Sequence, residues 1–93
     1  MATKTTIFRK NRTFDVYVYP IGSGMAEITI YEVIRPNRKF FRTKFFPFHS
    51  CSVFVEDFPT ITAALFDCVD AGLRKEARTE KLEKMWKEFE ENT

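Results

Sequence analysis

Arg38–Phe48, RKFFRTKFFPF, carries the strongest structural signal in the chain. Five of its eleven residues are Phe and four are Arg or Lys. Successive strand side chains point to opposite faces, so a period of two sets Phe41, Thr43 and Phe45 on one side. Phe40, Arg42, Lys44 and Phe46 fall on the other. The first set reads as core. The second alternates ring and cation, which burial under a helix does not require. Such a face fits an unpaired polyanion, whose bases stack on rings while its phosphates meet cations. Packing against a protein partner and plain solvated sheet are the competing readings, because Tyr, Phe and Thr favour strands for reasons of their own.

Outward from this stretch, two turns frame the strands before it. Thr6 to Pro20 reads as strand, with Phe14, Val16 and Val18 alternating with Thr13, Asp15, Tyr17 and Tyr19. The polar knot Arg9-Lys10-Asn11-Arg12 predicts a break or bulge within it. Pro20-Ile21-Gly22-Ser23-Gly24 predicts a turn, since its glycines accept positive φ. Met25 to Arg35 is a second strand, with Ala26, Ile28 and Ile30 on one face and Glu27, Thr29, Tyr31 and Val33 on the other. Arg35-Pro36-Asn37-Arg38 predicts a second turn, short enough for an antiparallel hairpin into a third strand, Lys39–Phe46. Pro47 ends that strand, and Val53-Phe54-Val55 reads as a short fourth.

A helical pattern follows. Asp57 is placed to cap it and Pro59 suits a first turn. Phe58, Ile61, Leu65, Val69 and Leu73 recur at spacings of three and four, forming a stripe for the apolar sheet face. Gly72 is a candidate end, and Thr79–Glu91 is again helical, with Glu80→Lys84 and Glu83→Lys87 in the favourable i,i+4 order. The expected fold is therefore α+β: a curved antiparallel sheet of three or four strands followed by one long or split C-terminal helix. It forms a single domain over residues 1–93, with the sheet at about 6–56 and the helical part at about 58–91.

The formal charge of +2 is unevenly spread. Residues 1–50 hold nine cations against three carboxylates, a net of +6, whereas residues 51–73 carry a net of −4. The first twenty residues contain no apolar leader, and no apolar run is long enough to span a bilayer. Two cysteines, Cys51 and Cys68, make no disulfide framework, so reduced thiols and a cytoplasmic setting are expected, with a Cys51–Cys68 bridge as the alternative. Catalytic signals are sparse. His49 is the single histidine, and His49-x-Cys51 with Cys68 lacks the paired spacing of zinc sites. No phosphate-cradling or nucleophile-elbow motif occurs. The expectation is a protein that is not an enzyme and needs no metal or cofactor.

If the strands pair as hairpins, Tyr17, Tyr19 and Tyr31 share a face with Phe40, Arg42 and Lys44, and the turn cations Arg35, Arg38 and Lys39 widen the basic track. Those nine residues are the candidate site for single-stranded nucleic acid. Leu82, Met85, Trp86 and Phe89 exceed what a lone helix needs and form a candidate homodimer interface. A protein-interaction module, such as an inhibitor or regulator encoded by a phage or mobile element and acting on a host protein, is the alternative function.

RTFDVYVYPIGSG (12–24), AEITIYEVIRPNR (26–38), KFFRTKFF (39–46) and DFPTITAALFDCVDAGL (57–73), in that order, resemble the PC4-like single-stranded DNA-binding fold. The resemblance implies a curved sheet followed by a dimerising helix. It also implies that Tyr17, Tyr19, Tyr31, Arg42 and Lys44 hold unpaired DNA. About twenty residues continue beyond the matching region.

Overall fold

Two tight turns built from residues with positive φ set up the sheet. The computed structural model describes residues 2–36 and 42–92. Lys10 and Asn11 sit at φ 51° and 61°, a two-residue turn whose twist matches that of the strands it joins. The polar knot is therefore a hairpin between β1 (Thr3–Arg9) and β2 (Arg12–Gly22). Gly22, Ser23 and Gly24 all have positive φ and lead β2 into β3 (Met25–Ile34). Pro20 is tolerated because it lies past the Thr3–Val18 pair, where β1 no longer flanks β2.

The fourth strand differs from expectation. One strand, β4 (Lys44–Phe54), replaces the anticipated pair Lys39–Phe46 and Val53–Val55, and Val55–Asp57 is a turn of 3₁₀ helix. Pro47 does not end β4, because β4 is an edge strand and an edge tolerates a missing donor. Phe48 has no partner on β3: Pro47 faces Tyr31 and His49 faces Ile30. This bulge turns Phe48 toward the helix, where its ring centroid lies 4.7 Å from that of Phe14. The sheet order is β1-β2-β3-β4, antiparallel throughout.

A single helix, α1 (Ile61–Glu91), crosses one face of this sheet. Thr60, not Asp57, is its cap: Thr60 Oγ1 accepts from the Ala63 N–H at 3.1 Å. Gly72 does not end the helix. A Cβ there would lie 2.5 Å from Phe48 Cε2 and 2.9 Å from His49 Cβ, so this glycine lets α1 approach β4 closely. Phe14, Val16, Ile28 and Ile30 meet Ala64, Leu65, Cys68, Val69 and Leu73 to form the core. Phe45, expected in that core, is exposed, Thr43 is exposed ahead of β4, and Phe41 lies outside the described residues.

Cys51 on β4 and Cys68 on α1 are joined by a disulfide, their Cα atoms 6.8 Å apart. The expectation of reduced thiols is thus corrected: the stripe that buries Cys68 aims it at the strand carrying Cys51. The bond also takes both sulfurs out of the His49-x-Cys51 zinc alternative. No helix is long and apolar enough to cross a membrane among the described residues.

Arg12 clamps the far end of the sheet to the helix. Its guanidinium donates to Glu32 at 2.7 and 2.8 Å and to Glu76 at 2.6 and 3.0 Å. It also lies over the rings of Phe14 and Phe48, 5.4 and 5.3 Å from their centroids. Hydrogen bonds to Glu32, then to Glu76, hold Arg12 above its ordinary value, and the bond from Arg12 holds Glu76 below the usual carboxylate range. Arg9 pairs with Asp70 beside it, at 2.9 Å.

Candidate interaction surface

Cross-strand partners share a side of the sheet, so the register assigns every strand residue to a face. The side away from α1 carries Lys4, Thr6 and Phe8 on β1, opposite Tyr17, Asp15 and Thr13 on β2. Those pair on with Thr29, Tyr31 and Val33 on β3, which meet Ser50, Pro47 and Phe45 on β4. Tyr19 and Glu27 extend this face toward the β2–β3 turn. No second described element covers it.

Five rings, Phe8, Tyr17, Tyr19, Tyr31 and Phe45, therefore look out from one wall. Tyr17 and Tyr31 meet edge to face with centroids 5.8 Å apart, a geometry that fixes both rings before any partner arrives. Phe8 is 71% exposed and Phe45 55%. Such exposure of large rings on one side of a sheet marks a contact surface more often than a solvated one. Charge is scarce here. Lys4 is the one cation among the described strand residues of this face, and its Nζ lies 3.4 Å from Asp15 Oδ2. Asp15, 3% exposed, also accepts from Thr6 Oγ1 at 3.0 Å, so the buried carboxylate is satisfied on both oxygens.

The candidate residues for nucleic acid do not all share this wall. Tyr17, Tyr19 and Tyr31 do. Lys44 faces Ile34 and Phe46 faces Glu32, on the side of the sheet that bears the helix. The anticipated ring–cation face is thus displaced by one residue: Phe45 takes the place expected for Lys44 and Phe46, and a one-residue slip exchanges faces. Arg35 and Arg42 are exposed in the connection between β3 and β4, while Arg38, Lys39 and Phe40 lie outside the described residues. Phe8, Phe45 and Pro47 were not anticipated on this wall. Phe8 joins this face because the two-residue Lys10-Asn11 hairpin sets it opposite Thr13, a pairing that a simple count in twos from Tyr17 does not reach. Phe45 and Pro47 carry no local signal.

His49 lies on the helix side beside Gly72, away from this face. Among the described residues no three His, Cys, Asp or Glu side chains are grouped to hold a metal ion. The dimer candidates Leu82, Met85, Trp86 and Phe89 are all exposed on the distal half of α1, well away from the sheet's ring-bearing wall.

Comparison with known proteins finds no family model, no curated protein and no solved structure that matches the chain.

Proposed function

We propose that this chain is a non-enzymatic binding module that takes a protein partner on the open wall of its sheet, around Tyr17, Tyr31 and Phe45. The observation that carries this reading is the wall's composition: five rings with, among the described strand residues, one cation, already paired. Aromatic residues are enriched and lysines depleted at protein interfaces, and a few buried rings supply most of the affinity there. Phosphates, by contrast, need free cations beside the rings, and Lys44 lies on the opposite side.

The test is a capture experiment with the purified protein and its Tyr17→Ser/Tyr31→Ser and Phe45→Ser variants, with and without nuclease. A protein retained by the parent chain after nuclease, and lost from the variants, supports the reading. Loss of every retained protein on nuclease treatment refutes it.

Single-stranded nucleic acid is the second reading. One observation favours it: Arg35, Arg42 and Lys44 gather at the end of the sheet where β3 passes to β4, next in sequence to Arg38 and Lys39. Bases stacking on Tyr31 or Phe45 would then be held by that end alone. Fluorescence anisotropy with a labelled oligonucleotide at low and moderate salt decides it. Salt-sensitive binding that falls on replacing Arg42 and Lys44 with Ala would establish this reading.

A cytoplasmic setting belongs with either reading only if the Cys51–Cys68 pair cycles with its surroundings, because disulfides persist chiefly in oxidising compartments. Thiol counting on protein alkylated at the moment of cell lysis answers that point.

A further inference from the structure

Helix α1 outruns the sheet that supports it. Among the described residues its last buried one is Leu73, Glu76 pairs with Arg12 of the sheet, and every residue from Ala77 to Asn92 is exposed. At about 1.5 Å per residue, Ala77–Glu91 is a rod of roughly 22 Å. Isolated helices of this length are marginal in water. Yet the rod displays Leu82, Met85, Trp86 and Phe89, each more than half exposed, along one side. Trp86 and Phe89 are stacked with centroids 5.5 Å apart, which gathers the two largest rings into one ridge.

Charge along the rod is polar from end to end. Residues 74–81, toward the sheet, hold four cations and two carboxylates, and residues 83–91 hold two cations and four carboxylates, with Glu88, Glu90 and Glu91 at the tip. The last turn holds no basic residue, so three carboxylates sit at the end where the helix dipole is negative, an arrangement that is unfavourable for a helix alone.

We propose that residues 77–91 pair with the same segment of a second copy of this chain, in antiparallel orientation. With Leu82 and Met85 as the seam, an antiparallel register sets Leu82 against the partner's Met85, and Arg78 against the partner's Phe89. Lys81 then flanks the partner's Glu88, twice by symmetry. Each acidic tip comes to rest on the other copy's basic segment, which offsets the unfavourable end charge. A parallel pair would instead set Arg78 on its own symmetry mate and place the acidic tips side by side. It would also bring both sheets to the same end of the rod, whereas the antiparallel pair keeps them at opposite ends. This inference rests on the helix alone and is independent of the partner assigned to the sheet wall.

Sedimentation equilibrium over a concentration series tests it. The parent chain is expected to move from 11.0 kDa toward twice that mass as its concentration rises. Leu82→Glu/Met85→Glu is expected to remain at the single-chain mass, and to melt like the parent at concentrations where the parent is also a single chain, since both residues lie outside the core. K81E and E88K are each expected to weaken association about tenfold. An equimolar mixture of the two is expected to regain it, because each variant supplies the charge the other has lost. A single-chain mass at every concentration overturns the proposal. So does undiminished dimerisation of K81E and E88K, the result a parallel pair gives, or of Leu82→Glu/Met85→Glu, the result of another surface.

Discussion

At the scale of single residues, Arg12 ties the two layers together without a covalent bond. It binds one carboxylate on β3 and one on α1 while its guanidinium plane covers two rings of the core. Its partner Glu76 titrates below the usual carboxylate range because Arg12 hydrogen-bonds its charged form. A carboxylate whose folded value is depressed stabilises the fold above its unfolded value and loses that contribution as pH falls through the folded one. The melting temperature is therefore expected to drop as pH is lowered below about 4.5. Glu76→Gln is expected to lower it at pH 7 and to flatten part of the acid decline, which calorimetry from pH 7 to pH 3 measures. The pairing was not legible in the sequence. Arg12 and Glu76 stand 64 positions apart, and no local pattern marks either as a partner of the other.

At the scale of elements, the packing of α1 on β4 decides the core, and Gly72 sets its distance. Alanine favours a helix over glycine by about 1 kcal/mol, which taken alone would make Gly72→Ala stabilising. The new Cβ, however, would press on the Phe48 ring and on His49 Cβ, the latter fixed to the backbone of β4. Overpacking of this kind costs typically about 1–3 kcal/mol, so the expected net effect is a lower urea midpoint at unchanged m-value. A raised midpoint would mean that α1 and β4 stand further apart than described. Read from sequence, this glycine looks like a helix stop, because glycine's usual role there is terminal. The close approach that keeps it in the helix interior depends on the Phe48 bulge, which sits 24 positions earlier on another element.

For the whole molecule, the outline follows from where support runs out. The radius of gyration is 16.6 Å, against about 12–13 Å for a compact chain of this length, because half of α1 projects beyond the sheet. So small a core leaves room for a covalent tie to matter, and Cys51–Cys68 supplies one between the sheet's edge and the helix. A loop of this size is stabilised by roughly 3 kcal/mol when closed by a disulfide. Dithiothreitol, or Cys51→Ser/Cys68→Ser, is expected to lower the unfolding free energy by about that amount while leaving the far-ultraviolet spectrum of the folded state in place. A change well under 1 kcal/mol would show that the two cysteines contribute as thiols packed in the core.

What the amino-acid order determined by itself is local: the alternating apolar residues of β2 and β3, the glycine-bearing turn between them, and a helix whose stripe matches the inner sheet face. Those features repeat every two or every three to four residues, so a short window contains them. The tertiary structure alone decided which side of the sheet each residue of β4 occupies, that Cys51 meets Cys68, and that Gly72 lies within a continuous helix. Each depends on register across a long connection, where one residue more or less exchanges the faces, and on a bulge whose effect is felt on another element.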